Sequence, residues 1–510
     1  MRATLSQDPL LDTSLPSATQ PSGRAGGWSL LGAALLAAFY FATSLYVAAH
    51  RLLWFDEVVT VHIAQLPNLS TMLAALSHGA DSLPPLYYMV VRAFGKAFGY
   101  GEIAVRLPSA LAMMATLLIT FDCARRLTDG LCGLIALAVA SGPLAGEGFE
   151  ARSYAIYIML AALALWVWTY TGASEKLAAI LFGAVLFLSV CFHYYAVLFV
   201  VPYGLWELSR WKPWQPPSAK LLAGIIGVAV PAALLSHVIL SFSRKFAPGF
   251  WSRPSMSELT EIYSHIFVSG LFILSLIMIW VALTSRKSDR ILLQPMPPGE
   301  AVGWLFLCLP LAGFVAAELK TNAFAVRYFL ALVPGVAVAL ACWTWRHFHN
   351  APRISLGIFL LLASWGAVKQ LQVVRNPSSV ESPGTRAYLG LEGSLRSEGK
   401  QFFIFSDPFL FLEAQYYSKY PDQCVLLLPS DFYQKATPGR STPDPYMHQR
   451  VEVTLSHYSP LQIWQWEQLQ EHASQSALIK PSKDALEAAK RAGFAASVKV
   501  SDPMKVVYLQ

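Results

Sequence analysis

Cysteine is scarce and badly placed for disulfide chemistry. Of six cysteines in 510 residues, Cys123, Cys132, Cys191, Cys308 and Cys342 lie in or beside apolar runs, and Cys424 alone falls in the more polar C-terminal part. A lone external cysteine cannot close an intradomain disulfide, and no pair has the spacing of a metal site. The net charge of +7 is not gathered into a recognition helix or a basic tail, so nucleic acid is not an expected partner. There is no repeat of solenoid period, and no matched pair of interrupted apolar segments suggests the inverted repeats of a transporter. A cleavable leader is not expected either. The first apolar run is too long for a signal-peptide core and reads as a retained anchor behind a polar tail, residues 1–27, in which no ordered structure is expected.

What the chain has in excess is apolar sequence: hydrophobic content is 55% and mean hydropathy +0.45, in long blocks. Runs long enough to cross a hydrocarbon core of about 30 Å fall at 28–49, 104–124, 131–149, 153–171, 177–192, 194–209, 219–241, 263–284, 300–317, 324–345 and 352–372. These predict about 11 transmembrane helices in an α-helical polytopic membrane protein. The stretch 177–209 is divided at His193-Tyr194-Tyr195, which is polar enough to interrupt a span. Lys and Arg collect at Arg125-Arg126, Lys176, Arg210 to Lys220, Arg286 to Arg290 and Arg346 to Arg353. With eleven spans these five loops share one side, which the positive-inside rule makes cytoplasmic. The N-terminus is then cytoplasmic, and the segment after 372 is periplasmic or extracellular, on a plasma (inner) membrane. Residues 28–372 read as the membrane domain. Residues 373–510 read as a small external α/β domain, because strand-like runs such as Phe402-Phe403-Ile404-Phe405 alternate with helical ones such as Lys483 to Ala492.

On the external side of this topology, chemically able residues are numerous. The first loop, 50–103, opens with Trp54-Phe55-Asp56-Glu57, two adjacent carboxylates just beyond a span. It continues with His62, His78, Asp81 and Leu83-Pro84-Pro85-Leu86-Tyr87-Tyr88, then an apolar segment to Phe98 that contains Arg92 and Lys96 and reads as an interfacial helix. Later loops bring Glu147, Glu150, Arg152, Tyr154 and Tyr157, then His193-Tyr194-Tyr195, then Arg244, Lys245, Trp251 and Arg253, and finally Glu318, Lys320 and Arg327-Tyr328. Each has a plain reading. The carboxylates could end a helix on the wet side, Glu150 and Arg152 could pair with each other, and Arg244, Lys245 and Arg253 could touch lipid headgroups. His62 and His78 read as solvated loop residues, and Tyr87 and Tyr88 as interfacial anchors. Together they suit group transfer from an anionic lipid. Arg and Lys grip a phosphate, a carboxylate deprotonates an acceptor hydroxyl, and grooves between helices hold a lipid tail.

In order and spacing, several strings resemble the GT-C membrane glycosyltransferases, in the dolichyl-phosphate-mannose protein mannosyltransferase-like branch that includes the lipid A aminoarabinose transferases. They are Trp54 to Glu57, Asp81 to Tyr88, Ala104 to Ala110, Glu150 to Ala155, His193 to Tyr195 and Arg327 to Leu330 before Pro334, and they cover about residues 28–345. The resemblance implies the GT-C fold and a polyprenyl-phosphate sugar donor. It implies a lipid, glycan or protein acceptor on the outer face, with inversion at the anomeric carbon. It makes Asp56 the general base and gives Glu57 the task of orienting it or of holding a cation or sugar hydroxyl. Asp81, Tyr87, Tyr88, Glu150, Arg152, Tyr154, His193, Tyr194 and Tyr328 become substrate-binding candidates, with Arg327 and Lys320 on the leaving phosphate and Arg92 as a weaker phosphate ligand. Arg106 reads as a structural helix-start residue. Leu83 stands where many relatives have His before the Pro pair. No dedicated cofactor is implied, and a divalent cation is compatible with the site without being required. The rival reading, a transporter or flippase of a lipid-linked or anionic substrate, calls for ionisable residues deep in several spans, whereas the carboxylates here are one-sided.

Overall fold

The computed structural model describes residues 26–170, 174–212, 216–238, 252–265, 296–376, 384–432, 444–491, 496–501 and 504–509, with a few isolated positions between. Most of the expected span 263–284 and the loop residues Arg244, Lys245 and Trp251 lie outside these described residues.

The membrane part is built from α1 (Gly27–His50), α2 (Phe55–Gln65), α3 (Leu69–Ser77), α4 (Pro85–Phe98), α5 (Glu102–Leu127), α6 (Gly130–Ser141), α7 (Tyr154–Thr169), α8 (Glu175–Phe192), α9 (Val200–Ser209), α10 (Ala219–Leu234), α11 (Pro298–Leu305), α12 (Leu309–Ala316), α13 (Val333–Phe348) and α14 (Pro352–Arg375). Six helical stretches are long and apolar enough to cross a membrane: Gly27–His50, Glu102–Leu127, Glu175–Phe192, Pro298–Thr321, Val326–Phe348 and Pro352–Arg375. Gly130–Ser141, Tyr154–Thr169 and Ala219–Leu234 are shorter apolar helices. All nine fall on runs expected from the sequence. The break at His193 is present, since α8 stops there and a 3-10 turn, Tyr194–Phe199, leads into α9. The run 131–149 is helical only to Ser141, because Gly142-Pro143 ends the helix and the chain turns into a 3-10 segment, Glu147–Phe149.

Local signals start these helices. Asn68, Asp129, Ser174 and Ser218 each accept a hydrogen bond from a backbone N–H in the first turn of α3, α6, α8 and α10. Small residues let spans approach closely. A methyl group added to Gly227 of α10 would meet the Gly183 carbonyl of α8 at 2.3 Å, so the two helices touch backbone to backbone.

The C-terminal part contains α15 (Thr385–Ser397), β1 (Phe402–Phe405), α16 (Pro408–Tyr417), β2 (Cys424–Leu427), α17 (Met447–Ser456), β3 (Gln462–Trp464), α18 (Trp466–Glu471), β4 (Ser476–Ile479), α19 (Lys483–Arg491), β5 (Ala496–Ser501) and β6 (Met504–Leu509). The sheet order is β3-β2-β1-β4-β6-β5. Its first four strands are parallel, and β6 pairs antiparallel with both β4 and β5. The chain leaves β1 toward β2 and later returns on the other side of β1 as β4. The carboxyl end of β1 is therefore a topological switch point, where open α/β sheets place ligands.

That edge is turned toward the membrane part. Phe409, at the start of α16, lies 4.8 Å from the Phe55 ring, Tyr417 accepts at its hydroxyl from Leu53 N at 2.8 Å, and Tyr416 donates to the Tyr100 carbonyl at 2.9 Å. His78 bonds the Tyr458 hydroxyl and stacks on its ring, and the His62 ring sits 6.2 Å from that of Tyr416. Of the two histidines read as solvated loop residues, His78 stays exposed while touching Tyr458, and His62 is partly buried on α2 against Tyr416. What fills the solvent side of the loop is the C-terminal domain.

Candidate active site

Trp54 caps α2, and Glu57 folds back so that its Oε2 accepts from Trp54 N at 3.2 Å. Because successive residues on a helix diverge by about 100°, this capping turn points the two adjacent carboxylates in different directions. Glu57 goes inward and is fully buried. It accepts from Arg106 Nη2 at 2.6 Å and Nε at 2.8 Å, from Ala151 N at 2.6 Å and from Arg51 Nη2 at 3.2 Å. Burial alone would raise its pKa, but the Arg106 and Arg51 guanidinium groups outweigh burial and hold it below the usual carboxylate range. With its oxygens taken up by these donors, Glu57 fastens α2 to α5 and to the turn before α7. The expectation that it holds a cation or sugar hydroxyl is corrected accordingly. Arg106 is structural, donating also to the carbonyls of Ala48, Arg51 and Leu52.

Asp56 goes outward, 22% exposed, into a cavity of about 300 Å³. Its Oδ2 lies 3.5 Å from Arg327 Nη1 and 3.9 Å from Arg152 Nε. Asp81 lines the same cavity and takes Arg152 Nη1 on Oδ2 at 2.6 Å. Arg152 is thereby oriented, and its Nε, buried without a hydrogen-bond partner among the described residues, is turned toward Asp56. Tyr154 and Tyr328 complete this wall, with the Arg327 guanidinium 5.4 Å from the centre of the Tyr154 ring. Phe409, Met447, His448 and Val451 from the C-terminal domain line the same cavity.

The remaining candidates are placed elsewhere. Glu150 and Arg152 do not pair with each other. Glu150 sits 3.8 Å from Arg51 and, with Glu147, lines a separate cavity of about 770 Å³ beside Trp365 and Lys369. Burial, then their mutual repulsion, raises the Glu147 carboxyl. Tyr87 and Tyr88 are fully buried beneath the site instead of anchoring it at an interface. Arg92 donates to the carbonyls of Leu66 and Pro67 at 2.6 and 2.7 Å, so it satisfies the end of α2 and is not aimed at a phosphate. His193 is packed in an aromatic cluster, 4.5 Å from the Tyr157 ring and 5.3 Å from that of Tyr328, behind the cavity wall. The Tyr194 hydroxyl is buried without a described partner. Lys320 is exposed at the end of its helix and does not line the Asp56 cavity. Leu83 is buried, so no imidazole is offered from that position. Sequence reasoning missed Arg51, whose only signal was a basic residue on the acidic side. It also missed the four C-terminal-domain residues, which lie more than 350 positions from Asp56 and carry no local mark.

Residues 82–237 match the family model described as dolichyl-phosphate-mannose-protein mannosyltransferase. No curated protein sequence matches the chain. Among solved structures, it is similar to ArnT from Cupriavidus metallidurans bound to undecaprenyl phosphate, at 11% identity and TM-score 0.60, with 95% of this chain and 98% of that chain covered. The apo form of the same protein gives 12% identity and TM-score 0.58 over the same shares. The apo Archaeoglobus fulgidus oligosaccharyltransferase gives 12% identity and TM-score 0.43, over 76% of this chain and 63% of that one. At such identities the likeness to ArnT speaks for the fold alone, and the family match marks residues 82–237, less than a third of the chain, as similar to the dolichyl-phosphate-mannose-protein mannosyltransferases.

Proposed function

We propose that the chain moves a sugar from a polyprenyl phosphate to a hydroxyl of a lipid, glycan or protein acceptor on the outer face of the membrane, with inversion and with Asp56 as base. The carrying observation is the placement of the Asp56 carboxylate in a half-enclosed cavity between two guanidinium groups, while its neighbour Glu57 is locked into the scaffold. The acceptor oxygen attacks the anomeric carbon from the face opposite the phosphate, and Asp56 takes its proton. The bond from carbon to phosphate oxygen breaks, and the departing phosphate is met by Arg327 and by the unengaged Nε of Arg152. Phosphate on Arg327 competes with Asp56 for the same cation, so donor binding would free the carboxylate for its task.

The guanidinium groups supply the positive charge that leaving-group departure needs, so the scheme invokes no divalent ion, and EDTA is expected to leave turnover intact. The cytoplasmic N-terminus and the periplasmic or extracellular C-terminal domain follow from the basic loops and belong to this proposal. The test is transfer from a panel of radiolabelled polyprenyl-phosphate sugars by wild type and Asp56→Asn, with undecaprenyl phosphate binding measured alongside. Loss of transfer with binding retained supports the reading. Binding without transfer from any donor, with envelope extract supplied as acceptor, sinks it in favour of transport.

A further inference from the structure

The cavity around Asp56 is lined by both parts of the chain, and their contributions differ in charge. The membrane part contributes Arg152 and Arg327 with the rings of Tyr154 and Tyr328, and the C-terminal domain contributes Phe409, Met447, His448 and Val451. A phosphate belongs with the guanidinium groups, because the C-terminal-domain residues offer it no charge. In a displacement with inversion, the attacking oxygen must lie on the side of the anomeric carbon away from that phosphate. That oxygen must also reach Asp56, and His448 is the single polar side chain among the four C-terminal-domain residues that line the cavity with Asp56.

The imidazole is held there by its neighbours. Its ring lies edge-on to Phe55 at 5.3 Å and 4.4 Å from the Phe409 ring, so it is fixed from the membrane side and from the domain side at once. It projects from α17, whose neighbouring residues Met447 and Val451 reach into the same cavity. Burial disfavours its protonated form more than the facing carboxylates of Asp56, Asp407 and Asp444 favour it. A neutral imidazole offers one N–H and one lone pair, a matched partner for a hydroxyl.

We infer that His448 hydrogen-bonds the acceptor and that the C-terminal domain thereby supplies the acceptor half of the active site. This rests on the function proposed above, so the experiment separates the two. The full-length protein in lipid nanodiscs is given a radiolabelled polyprenyl-phosphate sugar that the wild type turns over, and a titrated detergent extract of cell envelope as acceptor probe. Wild type, Asp56→Asn, His448→Phe and His448→Gln are compared. Phenylalanine keeps the ring packing and removes the hydrogen bond, whereas glutamine keeps a donor and an acceptor.

His448→Phe is expected to lower the initial slope of rate against acceptor extract about tenfold, the scale of one hydrogen bond. Donor KM, undecaprenyl phosphate affinity and thermal midpoint should stay at wild-type values, and His448→Gln should recover part of the loss. Wild-type behaviour of His448→Phe overturns the inference. So does a loss shared equally by donor affinity or thermal midpoint, which would mark the histidine as packing only. No transfer by the wild type from any donor, or full transfer by Asp56→Asn, defeats the function reading itself.

Discussion

Two adjacent carboxylates have opposite fates, and single substitutions should separate them. Asp56→Asn is expected to reduce transfer by about 10²- to 10⁴-fold, the range of a general base, while thermal unfolding is unchanged. Glu57→Gln is expected to act the other way round. Removing the charge leaves Arg106 buried with its partner neutralised, at a cost of about 3–5 kcal/mol, read as a lowered midpoint and poor recovery of folded protein. A third carboxylate lies in the C-terminal domain. Glu452 is fully buried on α17, and neither of its oxygens has a described hydrogen-bond partner. Burial, then the nearby charge of Asp407, raises its pKa well above the ordinary value. The folded protein therefore holds this proton more tightly than the unfolded chain does. Its contribution to stability is whole below the unfolded pKa of about 4.3 and is lost as pH rises, by at most about 1.4 kcal/mol per pH unit. Glu452→Gln should raise the thermal midpoint at pH 8 and leave it unaltered at pH 4. An equal effect at both would defeat the assignment.

Elements, more than residues, decide which side chains meet. In the turn at Trp54 that starts α2, Glu57 accepts from the Trp54 backbone N–H, a contact within four residues, yet its consequence depended on Arg106 arriving from α5 and Ala151 from the turn before α7. Arg92 shows the same dependence. On the sequence it was a cation on an interfacial helix and a weaker phosphate ligand, and in the fold it closes the end of α2 from α4. Arg92→Ala should cost about 1–3 kcal/mol by leaving two carbonyls short of a partner. Transfer per folded molecule should be nearly unchanged. A phosphate ligand would instead give a raised donor KM at constant stability.

At the scale of the molecule, the C-terminal domain is docked by rings and hydroxyls onto the loop that carries Asp56. Phe409 touches both Phe55 and the reaction cavity. Phe409→Ala should therefore loosen the docking by about 3 kcal/mol and lower transfer as well, visible as a lowered thermal midpoint together with reduced turnover. The proposed topology has its own check. A single reporter cysteine near residue 20 should be shielded from an impermeant thiol reagent in intact cells, and one at Ser474 should be labelled. The reverse pattern would invert the whole assignment.

The sequence by itself marked the runs that become the nine apolar helices among the described residues, the strands of the C-terminal part, and the acidic and basic residues from which the site is drawn. Burial of an apolar run and helix capping are decided within a few residues, so local sequence carries them, whereas the run 131–149 was read through the Gly142-Pro143 stop that ends α6. Only the tertiary structure decided which carboxylate faces the cavity, that Arg92 is structural, and that His62 and His78 touch the C-terminal part. The same holds for the C-terminal-domain lining of the reaction cavity, Phe409, Met447, His448 and Val451. Those outcomes depend on contacts across hundreds of residues. There the energy of a buried charge or ring is fixed by what the fold brings against it, which no spacing along the chain encodes.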